Sequence, residues 1–217
     1  MTNLQKRVIT SIIIFPICIF FILKGGNYIV SFLYAILILG NFEVFSVFKR
    51  KLSIIFLDLV LVSALLSILF LRNDTISSYV LLIWVIILTI FSDIGGYIFG
   101  KLFKWGKLTD ISPRKTLSGS IGSFIFSIGS VFLIGLIFQI FSNLDFNFFK
   151  VRYFVLAIVL SFIAQLGDIA ISYLKRLEKI KDTGKILPGH GGIFDRIDGL
   201  MFTILFATLI YRLGLFP

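Results

Sequence analysis

The feature that most limits this chain is a succession of long, almost uncharged apolar blocks running from residue 8 to residue 215, separated by short polar breaks. Surrounded by hydrocarbon, such a block satisfies its backbone hydrogen bonds internally only as a helix, and about 20 residues make one bilayer crossing. Seven blocks qualify, at residues 8–23, 28–48, 52–71, 79–99, 119–141, 151–174 and 199–215, the first and last being short. They lack the two-residue alternation of a lipid-facing β-barrel. With 58% hydrophobic and 15% charged residues, the chain is also too apolar for an ordinary soluble domain. The expected fold is an all-α polytopic membrane protein of about seven transmembrane helices, one membrane domain over 1–217. The first block follows Lys6 and Arg7 as in a signal peptide, but no small-residue cleavage pattern succeeds it, so it is expected to remain as a span. Cys18, the single cysteine, lies inside that block and excludes an internal disulfide.

The net charge of +10 invites a nucleic-acid reading, yet no soluble domain exists to carry the binding face. The distribution of cations has a membrane explanation. Under a seven-span model, Lys6, Arg7, Lys49, Arg50, Lys51, Lys101, Lys104, Lys107, Arg114, Lys115, Lys175, Arg176, Lys179, Lys181, Lys185 and Arg196 fall on one side. Lys24, Arg72, Lys150, Arg152 and Arg212 fall on the other, a split of sixteen to five. The positive-inside rule then places the amino terminus and both long connections, 100–118 and 175–198, in the cytosol.

Carboxylates in spans are costly, about 2.5–3.5 kcal/mol at a helix centre, so each requires a partner or a task. Glu43, Asp93 and Asp168 approach the cytosolic ends of their spans, and Asp58 lies six residues into one that starts there. A shared water-filled cavity at the cytosolic face is the expectation. For Glu43 and Asp58, pairing with nearby cations or hydration at the interface weighs equally.

Two stretches carry the patterned chemistry. From Gly167 onward, Asp168, Ser172 and Lys175 fall on one helical face, placing a carboxylate, a hydroxyl and an ammonium together. A basic loop follows, then Pro188, Gly189, His190, Gly191 and Gly192, a turn whose amides suit an anion. Asp195 and Asp198 would share a face if helix already begins there. Each piece alone has an ordinary structural reading: Asp195 as a cap, His190 as a loop residue, the lysines as topological signals. Together they suit phosphoryl or nucleotidyl transfer, where oxygen ligands hold Mg²⁺ and cations neutralise phosphates. In the second stretch Asp93, Gly96, Tyr97 and Gly100 share a face, which serves a site or a small-residue packing seam equally well. Ser112, Pro113, Arg114, Lys115 and Thr116 add two cations and two hydroxyls, without a Walker motif.

The 27 residues from Ser172 to Asp198 closely resemble the signature of the phosphatidate cytidylyltransferases, with Ser172, Leu174, Lys175, Arg176, Lys181, Asp182, Pro188, His190, Gly191, Gly192, Asp195, Arg196 and Asp198 in register. Asp93, Tyr97, Gly100, Lys101 and the Ser112 to Thr116 stretch resemble other segments of that family. The resemblance runs from Asp93 to Gly199; before that it is hydropathic only. It implies a membrane nucleotidyltransferase that moves CMP from CTP to phosphatidic acid, giving CDP-diacylglycerol and pyrophosphate in phospholipid biosynthesis. Asp168 and Asp195 are implied as ligands of the catalytic Mg²⁺, with Asp198 close by and a second cation in view. Lys175, Arg176, His190 and Arg196 are implied in catalysis. Asp93, Lys101, Ser112, Lys115, Thr116, Ser172, Lys181, Asp182, Gly191 and Gly192 are implied in substrate binding. On this basis 1–92 is mostly scaffold, 93–198 bears the motifs and 199–217 is the last span. Two positions depart from the pattern, Ile171 and Ser118, where the family usually carries glutamate. The family often has eight or nine spans, which makes eight the alternative count here.

The expected partners are CTP, phosphatidic acid and the bilayer, with no nucleic acid and with a homodimer as a candidate assembly. The expected location is a bacterial inner membrane with the site facing the cytosol. Two rival activities stay open at this point: a CTP-dependent kinase of a polyprenol-type lipid, and an ion-coupled transporter using intramembrane acids.

Overall fold

The computed structural model describes residues 3–141, 148–184, 186 and 191–216. It consists of α1 (Asn3–Lys24), α2 (Gly26–Val47), α3 (Lys51–Asn73), α4 (Ile76–Phe103), α5 (Leu117–Phe141), α6 (Val151–Leu177) and α7 (Phe194–Arg212). Each helix answers one apolar block. By length and composition α2, α3, α4, α5 and α6 suffice to cross a membrane, while α1 contributes a shorter apolar stretch, Ile13–Lys24. The boundary shift that bears on the site is at α7, which begins at Phe194 rather than near 199, so Asp195, Arg196 and Asp198 occupy its first turns. Hydropathy placed that start too late because those charged residues mask the helix.

The surface is what a lipid solvent selects. Leu52 is 83% exposed, Val151 77%, and Ile38 and Phe42 66% each. Inside, among the described residues, two apolar clusters hold the bundle. One joins α3 to α7 around Trp84, whose ring meets Phe148, Tyr153 and Phe216 with centroids 5.7, 5.9 and 6.2 Å away. The other joins α2, α3, α6 and α7 around Leu57, Leu61, Ile171 and Phe194. Ile171 therefore supplies core volume where a glutamate would have needed a partner.

The close approach of α4 to α5 depends on glycine. A Cβ on Gly95 would strike the Gly122 carbonyl and lie 2.7 Å from Phe126 Cβ, and one on Gly122 would strike Phe99 and lie 2.5 Å from the Gly95 carbonyl. Ser123 Oγ donates to the Ser92 carbonyl at 2.8 Å across the same seam. Gly96 and Gly100, on the face singled out in the sequence, also approach α5 and its cap, where an added Cβ would lie 2.7 Å from Ser123 Oγ and 3.1 Å from Thr116 Oγ1, while Gly96 lines the cavity as well. Because backbone blocks the added methyl, Gly95→Ala should destabilise by about 1–3 kcal/mol. A lower unfolding temperature in detergent is the expected result, and an unchanged one would mean the helices are farther apart than this.

The connection from α4 to α5 folds back on itself. Lys107 and Thr116 form an antiparallel bridge, Leu108 N donates to Lys115 O at 2.8 Å, and Leu117 N donates to Gly106 O at 3.0 Å. Thr116 then caps α5, its Oγ1 accepting from Gly119 N at 3.0 Å. This folding returns Lys115 to the end of the bundle where α2, α4 and α6 finish and α3, α5 and α7 start.

Candidate active site

At that end a cavity of about 200 Å³ opens between α4, α5 and α6. Its wall includes Asp93, Gly96 and Tyr97 of α4, Arg114, Lys115 and Thr116 of the folded loop, and Gln165 and Asp168 of α6. The Lys115 ammonium stands 2.6 Å from Asp168 Oδ2, a close ion pair rather than a well-directed hydrogen bond. Ser172 Oγ donates to Asp168 Oδ1 at 3.3 Å. Asp168 remains 38% exposed at its side chain and Asp93 is exposed beside it, so a ligand in the cavity reaches both carboxylates. Gln165, one turn earlier on the same face, accepts from Ser120 Oγ at 2.6 Å, and its buried Nε2 has no acceptor among the described residues.

Asp93 and Asp198 both lie in electrostatic reach of Asp168; Lys115 and Arg196 face Asp93, and Lys175 faces Asp198. Carboxylates from α4, α6 and α7 thus converge among cations from three segments. With α7 helical from Phe194, Asp195 and Asp198 both sit beside Lys175, as their spacing of three anticipated.

Behind this cluster is a buried knot. Lys175 Nζ and Asp195 Oδ1 are 2.8 Å apart with side chains only 9% and 5% exposed. Asp195 Oδ2 accepts from Thr183 N at 2.8 Å and Gly192 N at 3.0 Å. Gly191 makes that turn at φ +88, in the left-handed region that glycine tolerates. Glu43 of α2, 1% exposed, completes the knot, with Oε1 accepting from Ile193 N at 2.9 Å and Oε2 from Phe194 N at 3.2 Å.

Several anticipated residues lie elsewhere. Asp58 is half-buried on α3 and forms no hydrogen bond or ion pair with the described residues, so it does not join the shared cavity. Lys101 is exposed, its Nζ 5.8 Å from the Tyr97 ring centroid. Arg176 is exposed and ties the two long connections together, donating to Ile111 O at 3.4 Å and Ile180 O at 2.9 Å. Lys181 and Asp182 are exposed, and Ser112 turns the loop by accepting from Lys115 N at 2.9 Å. His190 lies outside the described residues, as do Pro188 and Gly189. Ser118, where a glutamate is usual, is 1% exposed and accepts from Trp105 N at 3.3 Å.

Among the described residues the metal-ligating side chains at this end offer only oxygen, which suits Mg²⁺. Among the described residues no three acidic, His or Cys side chains are close enough to chelate an ion by themselves. A cation here would have to be held by one or two carboxylates and completed by phosphate oxygens. Asp168 is open to that role. Asp195 is committed to Lys175 and two amides, and would join only where Lys175 gives way.

A family model described as the cytidylyltransferase family matches residues 48–214, which contain all of this cluster except Glu43. The phosphatidate cytidylyltransferase of Rickettsia conorii is 32% identical over 220 residues, covering 97% of this chain and 93% of the relative. Those of Staphylococcus saprophyticus and Helicobacter pylori are 42% and 40% identical over 120 and 136 residues, or 55% and 62% of this chain. The aligned part spans only 44% and 48% of the length of those two relatives. The signature that spans α6 to α7, the family match over most of the chain and the near full-length likeness to the Rickettsia protein agree, and the chain belongs to the cytidylyltransferase family.

Proposed function

We propose that this protein is a phosphatidate cytidylyltransferase, joining CMP from CTP to phosphatidic acid with release of pyrophosphate. The observation that carries the reading is the ligand-accessible Asp168, paired with Lys115 and surrounded by Asp93, Asp198, Lys175 and Arg196 at one end of an apolar bundle. The sixteen-to-five distribution of Lys and Arg supports a cytosolic position for that end and for the amino terminus, under a seven-span topology in a bacterial inner membrane. Lipid would then arrive laterally with its headgroup at the interface, and CTP from the water.

The chemistry makes modest demands on the protein. A phosphate oxygen of phosphatidic acid attacks the α-phosphorus of CTP, a P–O bond forms, and the bond to the β-phosphate breaks as pyrophosphate departs. A phosphomonoester near neutral pH is largely ionised, its second pKa being near 6, so no strong base is required. The task is to bring two anions together and to neutralise their charge in the transition state. Lys115 and Arg114 at the cavity wall and Arg196 near Asp93 would supply that charge, while Lys175 offsets the charge of the acids behind them. Asp168, with Asp198 beside it, would hold Mg²⁺. When bound, the ion supplies positive charge to the phosphate oxygens.

The decisive assay supplies purified protein in detergent with labelled CTP, phosphatidic acid and Mg²⁺. The expected result is one pyrophosphate released per cytidine-bearing lipid, abolished by a chelator and restored by Mg²⁺. Release of CDP with a polyprenol-type acceptor would replace the reading with a lipid kinase. Solute uptake into sealed vesicles without lipid turnover would replace it with a transporter.

A further inference from the structure

Glu43 stands in the amino-terminal part of the chain, outside both the family-matched residues and the motif-bearing stretches. It is nonetheless a buried carboxylate that meets the start of α7. The local sequence gives that helix no cap of its own: Ile193 occupies the N-cap position and has no side-chain acceptor. The amides of Ile193 and Phe194 are satisfied instead by Glu43, whose negative charge also suits the positive end of a helix. Thr183 links this contact to the rest of the site, reaching toward Glu43 Oε2 with Oγ1 at 3.4 Å while its N–H goes to Asp195 at 2.8 Å. Two carboxylates, one from α2 and one from α7, therefore grip the same two points, Thr183 and the 192–194 turn.

We infer that Glu43 is a positioning residue of the site: a cap supplied in trans by α2 that fixes the first turn of α7, and with it Arg196 and Asp198, against Asp93 and Asp168. The inference rests on the function proposed above, since Glu43 touches no reacting group and acts only through the residues that α7 carries. The space around it has been cleared by glycine. A Cβ on Gly184 would lie 2.7 Å from Glu43 Oε1, and one on Gly192 would lie 2.5 Å from Oε2.

Glu43→Gln tests this, because it preserves volume while replacing one of two acceptor oxygens with an NH₂ donor aimed at a backbone N–H. Expected are a fall in kcat of about tenfold, the size of one lost cap, and an unchanged KM for phosphatidic acid. Hydrogen exchange at the Ile193 and Phe194 amides should quicken by about the same factor, with the middles of α2 and α7 unaffected. Gly192→Ala attacks the clasp from its other side, should give the same local exchange, and decides the matter if the first variant fails to accumulate. Wild-type exchange and turnover in Glu43→Gln would reduce the residue to filler and overturn the inference. If the wild-type protein itself failed to make CDP-lipid, the functional reading would fall, while the exchange comparison would still decide whether α2 caps α7.

Discussion

Asp168→Asn is expected to lower CTP-dependent conversion of phosphatidic acid by about 10²- to 10³-fold, the loss seen when one preorganised charge-stabilising group is removed, while leaving a folded membrane protein. Both halves of that expectation follow from where the side chain sits. Its side chain is 38% exposed but the Lys115 ammonium beside it is buried, so breaking the pair should cost about 1–3 kcal/mol, short of unfolding the bundle. Asparagine keeps the size and can still accept from Ser172. It withdraws the formal charge that holds Lys115 in place and that a divalent ion needs. Initial rates over a range of Mg²⁺ concentrations, with an unfolding curve of the same preparation, provide the check. Near-normal turnover at saturating Mg²⁺ would remove Asp168 from the centre of the site. A collapse of the unfolding temperature would show that the residue is structural.

The bundle was legible in the sequence because hydrocarbon imposes one secondary structure and one length, and residues 28–48 or 151–174 leave little choice. Where charge enters a helix that signal fails, which is why the start of α7 was placed near 199 although Phe194 already lies inside it. Much of the site was legible as well, since Asp93 and Asp168 are acids that an apolar span does not carry without cause, and Asp198 follows Asp195 at a helical spacing of three. Their partners were less so. Lys115 had been grouped with the anion-binding loop, but the fold-back of 104–116 pairs it with Asp168. Lys101 and Arg176, which the resemblance implied in the site, are exposed. Glu43 and Asp58 looked equivalent, each an acid about two turns from an expected span end. Only Glu43 meets uncapped amides, and these lie 150 residues away in sequence, where no local pattern records them. Gln165 carried a usable signal, since it precedes Asp168 by one turn on the same face, but an amide in a span is less costly than a charge and draws less notice.

The largest effect on stability is expected at Lys175→Met. The ammonium it removes is 9% exposed and lies 2.8 Å from a carboxylate that is 5% exposed, so Asp195 would be left as a buried anion without its counter-charge. Losing one partner of such a pair costs about 3–5 kcal/mol. The amides of Thr183 and Gly192 still donate to Asp195 Oδ2, which places the loss toward the lower end. Asp195→Asn should be milder, because asparagine can turn one acceptor toward those amides and Lys175 still faces Asp198. The double variant should recover much of what Lys175→Met loses, since neither charge is then stranded, giving a coupling of at least about 1 kcal/mol in a double-mutant cycle measured by unfolding in detergent. Turnover should not recover with it. Lys175 is one of the cations facing the acids, and Asp195 ties the 183–192 connection to the helix that bears Asp198. Additive losses in the cycle would mean that the pair is absent in the folded protein. Restored turnover in the double variant would mean that it is only a strut.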